Sequence, residues 1–445
     1  MLEFFIKSVY YLRLCIKNPD TSYLLENMEI QNNQLHLGGL SAEALRTNFG
    51  SPLYVYEEDS LRSQCRRLLS CFEELHQQQR LQLHFAMKAN SNPSILKVLR
   101  EEGAWIDAVS PYEVQLALDC GYRPEQILFT GNNTAPEELD FCVENGVPLN
   151  IGSLFTLEHF GKRYSGKNIS LRVNPGVGAG HHAHCITGGP RSKFGIYHDQ
   201  LEQAQELAQR HSLRIVGIQS HIGTGIFAPE PMLEAMEMIL ALAERFTELE
   251  FIDFGGGFGI PYRPEQQEMD VNALGQQMTE RFEKFCKEYG RPLSMKLEPG
   301  RYLVGPAGFL LLSVTNRKHT PEYQFVGTDS GFHHLVRPTM YGSYHRIWNA
   351  SRMEDELETV AVVGNVCETG DFFSVDQGNI QRDLPKTTVG DCLVIADAGA
   401  YGFSMSSQYN SRPRPAEVLV KDGQAQLIRR AERYTDLLRT TQELD

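Results

Sequence analysis

The sequence predicts an α/β protein: a (β/α)8 TIM-like barrel joined to a C-terminal, mostly antiparallel β domain. Three observations carry that expectation. Between residues 81 and 300, short β-rich apolar runs alternate with longer helical patterns in eight units, and buried parallel strands read as apolar runs that each need a crossover helix. After about residue 306 the texture changes to strand-like runs separated by turns. The length, 445 residues, leaves room for two domains.

Taken in order, residues 1–27 stand apart. MLEFFIKSVYYLRLCIK is interrupted by Lys7, Arg13 and Lys17, so it lacks both the apolar core of a signal peptide and the length to span a bilayer. We expect an extension upstream of the folded chain, with an amphipathic membrane-surface segment as the weaker alternative. Residues 28–57 form an N-terminal segment and 58–305 the barrel. Its strands are LQLHFAM (81–87), WIDAVS (105–110), ILFTG (127–131), PLNIGS (148–153), ISLRVNP (169–175), RIVGIQSHIG (214–223), FIDFGGG (251–257) and SMKLEPG (294–300). The intervening PSILKVLREEG and PYEVQLALDCG open at Pro, carry apolar residues at helical spacing and end at Gly103 and Gly121. Residues 306–445 supply FLLLSVTN, TVAVVGNVC, CLVIADAGAYG and AEVLVKDGQAQLIRR, the last carrying a KDG step with hairpin chemistry.

Composition narrows the function. With 41% hydrophobic and 22% charged residues the chain is an ordinary globular protein, and its formal charge of −14 argues against nonspecific attraction to nucleic acid or an anionic membrane. Partners should be small molecules or another copy of the chain. The 9 cysteines, at 15, 65, 71, 120, 142, 185, 286, 367 and 392, form no CxxC pairs and are odd in number, which fits a reducing cytoplasm rather than a disulfide framework. His181, His182, His184 and Cys185 cluster in a glycine-flanked segment, but without the spacing of a helical or knuckle zinc site. We expect no metal.

The residues with chemistry gather at the C-terminal ends of the predicted strands, where such barrels place active sites. In HFAMKANSNP, Lys88 ends an apolar run; an amine desolvated there can be neutral and form a Schiff base. Gly255, Gly256 and Gly257 let the backbone approach an anion closely, a phosphate cradle as well as a tight turn, and Gly300 of EPGR adds a second backbone wall. Glu298 and His221 also fall at such strand ends.

SHIG (220–223), DFGGGFG (253–259), EPGR (298–301), CETGD (367–371) and GAYG (399–402) occur in the order of one family. From about residue 30 to 430 the chain resembles the diaminopimelate decarboxylases, pyridoxal-phosphate enzymes of alanine-racemase-like fold that make L-lysine. The resemblance implies pyridoxal 5'-phosphate on Lys88, His221 stacked on its ring, and Glu298 beside the pyridine nitrogen, where a carboxylate favours the protonated ring. Gly255, Gly256, Gly257, Pro299, Gly300, Arg301 and Tyr401 complete the implied cofactor site. Arg301, Arg337 and Tyr341 would grip the remote carboxylate of meso-2,6-diaminopimelate, Glu368 its distal ammonium, and Tyr401 would also touch substrate; guanidinium forks suit carboxylates. Cys367 would donate a proton from a neighbouring subunit, making a homodimer with shared sites. The glycine-rich segment ending in KFG would cover the site, with Asn174 at its mouth, and SPLYVYEED would add a strand to the β domain.

Two departures from the family pattern keep their hydroxyls, Thr224 after HIG and Thr369 after CE, while Pro229 and Pro231 in GIFAPEPM are expected to reshape a loop over the substrate. Rival readings are a fold relative acting on ornithine, arginine or carboxynorspermidine, and a non-catalytic pyridoxal-phosphate-binding homologue. Arg301, Arg337 and Glu368 together favour a substrate with distal carboxylate and amine, and the C-terminal β domain with Cys367 argues against the non-catalytic reading.

Overall fold

The computed structural model describes residues 28–180 and 187–442. The 1–27 extension and the His181, His182, His184 and Cys185 cluster lie outside the described residues. The chain divides into two compact units: Arg62–Ile260 with Gln267–Leu303, and the remainder, to which the short excursion Pro261–Gln266 belongs.

The second unit begins with three short strands, β1 (Met28–Gln31), β2 (Gln34–Leu37) and β3 (Leu40–Ser41), and then β4 (Leu53–Glu57). The first unit holds β5 (Leu81–Ala86), β6 (Trp105–Ala108), β7 (Ile127–Phe129), β8 (Asn150–Ile151), β9 (Asn168–Asn174), β10 (Ile196–Tyr197), β11 (Arg214–Gln219), β12 (Phe251–Asp253) and β13 (Ser294–Leu297). Its sheet is parallel throughout. The ring closes because β13 pairs with β5, while Phe129 bridges in parallel to Leu149 ahead of β8. All the expected barrel strands form; β10 is an addition, too short at two residues to stand out in the sequence.

The crossover helices start where the chain supplies a cap. Asn92 accepts from the Ser94 amide at 3.0 Å, Ser110 from Glu113 at 3.2 Å and Ser153 from Thr156 at 3.1 Å, each satisfying a donor that the first helical turn leaves idle. In Pro93–Glu101 the buried face is Ile95, Leu96, Val98 and Leu99, the stripe that a 3.6-residue period turns toward the strands. No helix among the described residues is long and apolar enough to cross a membrane.

The second unit is mostly antiparallel, as expected. It is built on β14 (Gly308–His319), β15 (Gln324–Thr328), β16 (Ile347–Asn349), β17 (Leu357–Val363), β18 (Arg382–Pro385), β19 (Cys392–Ile395), β20 (Ala416–Lys421) and β21 (Gln424–Arg429). β14 pairs with β4, β15 and β19; the pairs β15–β17 and β4–β20 are the parallel exceptions. SPLYVYEED does supply a strand here, between β14 and β20. Its Leu53 and Val55 share a core with Leu35, Phe309, Trp348 and Val418. The KDG step is a hairpin, with Asp422 and Gly423 at φ 49° and 68° between paired Lys421 and Gln424, the double left-handed geometry of a type I′ turn.

Candidate active site

Lys88 follows β5 on a single turn, Met87–Ala89. Its Nζ lies 2.6 Å from Oδ2 of Asp107, on the adjacent strand β6. The desolvation expected for Lys88 is not what the fold provides: its side chain is 40% exposed and ion-paired, while Asp107 is 2% exposed. The burial falls on the carboxylate because Asp107 points into the barrel and Lys88 leaves the strand end.

Glu298, at the end of β13, is buried. Oε2 accepts from Nε2 of Gln219 at 2.9 Å, and Oε1 has no partner. Burial, then the charges of Asp253 and Asp107, raise its carboxyl well above the usual range, with Lys88 and Arg172 pulling the other way. Low dielectric and like charges both favour the neutral acid.

His221 accepts at Nδ1 from the Gly256 amide, 3.2 Å away, which leaves its proton on Nε2. Burial, and then Arg172 and Lys88, hold this imidazole down to about 3, so it is neutral at physiological pH. The Gly255–Gly257 turn is dictated first by neighbouring backbone. A Cβ on Gly256 would lie 2.0 Å from the Glu298 carbonyl oxygen, and one on Gly255 2.5 Å from that of Ser220. The glycines therefore let the turn lie flat against β11 and β13, and of the expected cradle the Gly255 and Gly256 amides are engaged by Asp253 Oδ1, at 2.8 Å, and His221. Pro299 accepts at its carbonyl from the Ala86 amide at 3.1 Å, tying the EPGR turn to β5. A Cβ on Gly300 would lie 3.2 Å from that of Ala86, closer than ordinary contact, and Arg301, buried, opens the helix Arg301–Val304.

Several residues of this barrel mouth were not singled out from the sequence: Asp107, Arg172, Gln219 and Asp253. The buried Arg172 places its guanidinium 4.5 Å from the Phe194 ring centroid. Asn174 clamps the ends of the glycine-rich segment. Its Nδ2 donates to Gly189 and Phe194 carbonyls at 3.0 and 3.2 Å, and its Oδ1 accepts from Gly176 and Gly189 amides at 3.1 and 2.9 Å.

The remaining candidates belong to the second unit. Arg337 is 2% exposed and donates through Nη1 to Tyr262 Oη and His345 Nε2, both at 2.9 Å. Tyr341 ends the same short helix, Arg337–Tyr341, half-buried. Cys367 and Glu368 sit exposed on a loop. The Cys367 amide donates to Asn410 Oδ1 at 2.7 Å, and Asp371 shapes the same loop by accepting from the Phe332 and Val366 amides at 2.7 and 3.0 Å. Tyr401 adopts φ 56°. Among the described cysteines, Cys367 is exposed and the other six are buried.

Among the described residues no cluster of His, Cys, Asp or Glu could hold a metal. Residues 58–305 match the family described as pyridoxal-dependent decarboxylase, pyridoxal binding domain. The chain is 47% identical over 419 residues to the diaminopimelate decarboxylase of Methanothermobacter thermautotrophicus, covering 92% of this chain and 96% of that protein. The Escherichia coli enzyme of the same name is 38% identical, covering 88% and 94%. The crystal structure of diaminopimelate decarboxylase from M. jannaschii in complex with L-lysine superposes with a TM-score of 0.86 at 32% identity, over 94% of this chain and 98% of that one. A parallel barrel with a lysine and a buried carboxylate at its mouth, a second antiparallel unit, and this likeness along almost the whole chain lead to one conclusion: the chain belongs to the diaminopimelate decarboxylases, within the pyridoxal-dependent decarboxylase family.

Proposed function

We infer that the chain decarboxylates meso-2,6-diaminopimelate to L-lysine and carbon dioxide, the last step of lysine biosynthesis, with pyridoxal 5'-phosphate as cofactor. The observation that carries this reading is the 47% identity to a diaminopimelate decarboxylase across 92% of the chain.

The barrel mouth fits such a cofactor. Oε1 of Glu298 is buried without a donor, and a ring nitrogen bearing a proton is the donor it lacks. When bound, the cofactor supplies an electron sink for the charge left at Cα after carbon dioxide departs. In our reading Lys88 is its covalent anchor, and Asp107 holds the Lys88 amine in place. Glu298, with Gln219 fixing its orientation, keeps a proton at the ring nitrogen. His221, neutral and fixed by Gly256, offers a flat face that excludes water. The Gly257 amide, with Gly300 and Tyr401, holds the phosphate, while the Gly255 and Gly256 amides donate to Asp253 and His221 and fix the shape of the turn.

Arg301, Arg337 and Tyr341 take the remote carboxylate and Glu368 the distal ammonium. A substrate lacking either charge forgoes the charge-assisted contact made there, which disfavours it. Cys367 delivers the proton to Cα. Its exposure on the second unit suits a donor offered to another copy of the chain, so the functional unit is a two-fold cytoplasmic homodimer with shared sites.

The test is lysine release from meso-diaminopimelate by the purified, cofactor-loaded protein. Faster turnover of ornithine would move the assignment to another basic amino acid, and no product from any diamino acid would leave a pyridoxal-phosphate carrier.

A further inference from the structure

Strands β5 and β13 alternate, and their inward positions are polar: Gln82 and His84 on one, Ser294, Lys296 and Glu298 on the other. At the N-terminal ends of the strands, opposite the end that carries Lys88 and Glu298, the first unit opens into a cavity of about 620 Å³. Its lining includes Gln82, Trp105, Phe160, Val216, Phe251 and Lys296. That volume lies within the range of small-molecule sites, whereas this end of a barrel ordinarily serves stability alone.

Among the described residues, two polar side chains of the lining lack a hydrogen-bond partner, while Ser170, Asn168 and Glu250 are already engaged. Lys296 is 6% exposed, its Nζ stands 3.7 Å from the Phe251 ring centroid, and among the described residues no hydrogen bond or ion pair reaches it. Gln82 is its partner in register on β5, and the Gln82 amide oxygen is buried without a partner. Burial holds the Lys296 amine down to about 8, against the pull of Asp253, Glu298 and Glu250. A buried amine with no hydrogen-bond acceptor is costly in an empty cavity, and an incoming acceptor removes that cost.

We propose that this cavity binds a small monocarboxylate with an apolar body, its carboxylate held by Lys296 Nζ and the Gln82 amide and its body by Trp105, Phe160 and Val216. Rotation of the Gln82 amide about its last torsion presents its N–H groups, and the ammonium makes the contact charge-assisted. A second negative charge on the ligand is disfavoured, because Glu250 lines the cavity and Asp253 is in register with Lys296 on β12. The site is separate from the cofactor site and does not rest on the proposed reaction.

The probe is 3-phenylpropionate, which has no amine to condense with the cofactor, added to the holoenzyme. The chain has 2 tryptophans, Trp105 and Trp348, so fluorescence reports on the cavity directly. The expected result is a saturable fluorescence change with a rise in Tm, weakened at least tenfold in affinity in Lys296→Met and Gln82→Leu. In Trp105→Phe the fluorescence change disappears and the Tm rise remains. Lys296→Met keeps the volume filled, and its unliganded Tm should equal or exceed that of the parent, since an apolar chain replaces a buried unpaired cation. Lys296→Gln, which keeps a polar end, serves as the second variant. No saturable response in the parent, an equal response in folded Lys296→Met, or displacement of the probe by meso-diaminopimelate would each overturn the proposal.

Discussion

Lys88 and Asp107 form an ion pair of 2.6 Å between an exposed amine and a buried carboxylate on neighbouring strands. The carboxylate fixes where the amine stands, so the position of the Lys88 nitrogen is set by β6 as much as by β5. Lys88→Ala should abolish both lysine release, by at least about 10³-fold, and borohydride-stable attachment of the cofactor. Lys88→Arg should not rescue either, because a guanidinium stays protonated and cannot attack a carbonyl. Activity surviving in Lys88→Arg would remove the anchor from this residue.

Glu298→Gln keeps the shape and the hydrogen bond to Gln219 but cannot hold the ring proton. We expect kcat to fall by about 10²–10³-fold with KM little changed. The cofactor-free protein should at the same time become more stable, since Glu298 crowds Asp253 and Asp107 in the barrel interior. A parallel loss of kcat and Tm would point to a structural role instead.

Cys367→Ala should cost about 10²–10⁴-fold in lysine release, the range of a lost proton donor. Stability should stay within about 0.5 kcal/mol, because the residue is exposed and its loop is held by backbone groups. The contrasting variant is Cys392→Ala. That side chain lies in the β-domain core with its thiol pushed up to about 12 by burial, so stability should fall while the chemistry remains. Comparing the two by assay and thermal melt separates the roles.

Glu57 gives a pH signature unrelated to catalysis. Burial raises its carboxyl to about 7, with Ser60 and the Gly38 amide opposing. A carboxyl raised on folding stabilises fully below its unfolded value and loses that contribution as pH climbs through the folded one. The window is therefore pH 4.5 to 7, with about 3 kcal/mol at stake. Denaturant melts at pH 5 and pH 8 should show the parent losing stability and Glu57→Gln losing much less. Equal slopes would place the proton elsewhere.

Asn174→Ala removes four hydrogen bonds that close the glycine-rich segment. Stranding the Gly189 amide and carbonyl should cost about 1–3 kcal/mol and raise KM more than it lowers kcat, if the segment covers the substrate. Steady-state kinetics on the variant decide it.

The fold was legible because its signals are long and repeated: each barrel strand is an apolar run, and each following helix has a start signal such as Asn92–Pro93 or Ser110–Pro111. The placement of Lys88, His221 and Glu298 at strand ends was legible through the motifs around them. Asp107, Arg172, Gln219, Asp253 and Lys296 were not, because the apolar residues around them dominate the reading of each strand. A period-two reading of β9, with Asn168, Ser170, Arg172 and Asn174 at alternate positions, contains the missing signal. The Pro261–Gln266 excursion escapes sequence reading for another reason: its assignment depends on partners far away in the chain, among them Arg337 on Tyr262 and Arg346 on the Pro261 carbonyl.

One connection has a bearing on how the molecule is made. β4 is translated before any barrel strand, yet its neighbours are Gly308–Leu311 and Ala416–Val420, which emerge afterwards. The entire barrel is thus threaded, in chain terms, between two adjacent strands of one sheet. A nascent chain must carry Leu53–Glu57 unpaired until Gly308–Leu311 emerge, by which point every barrel strand has already been made.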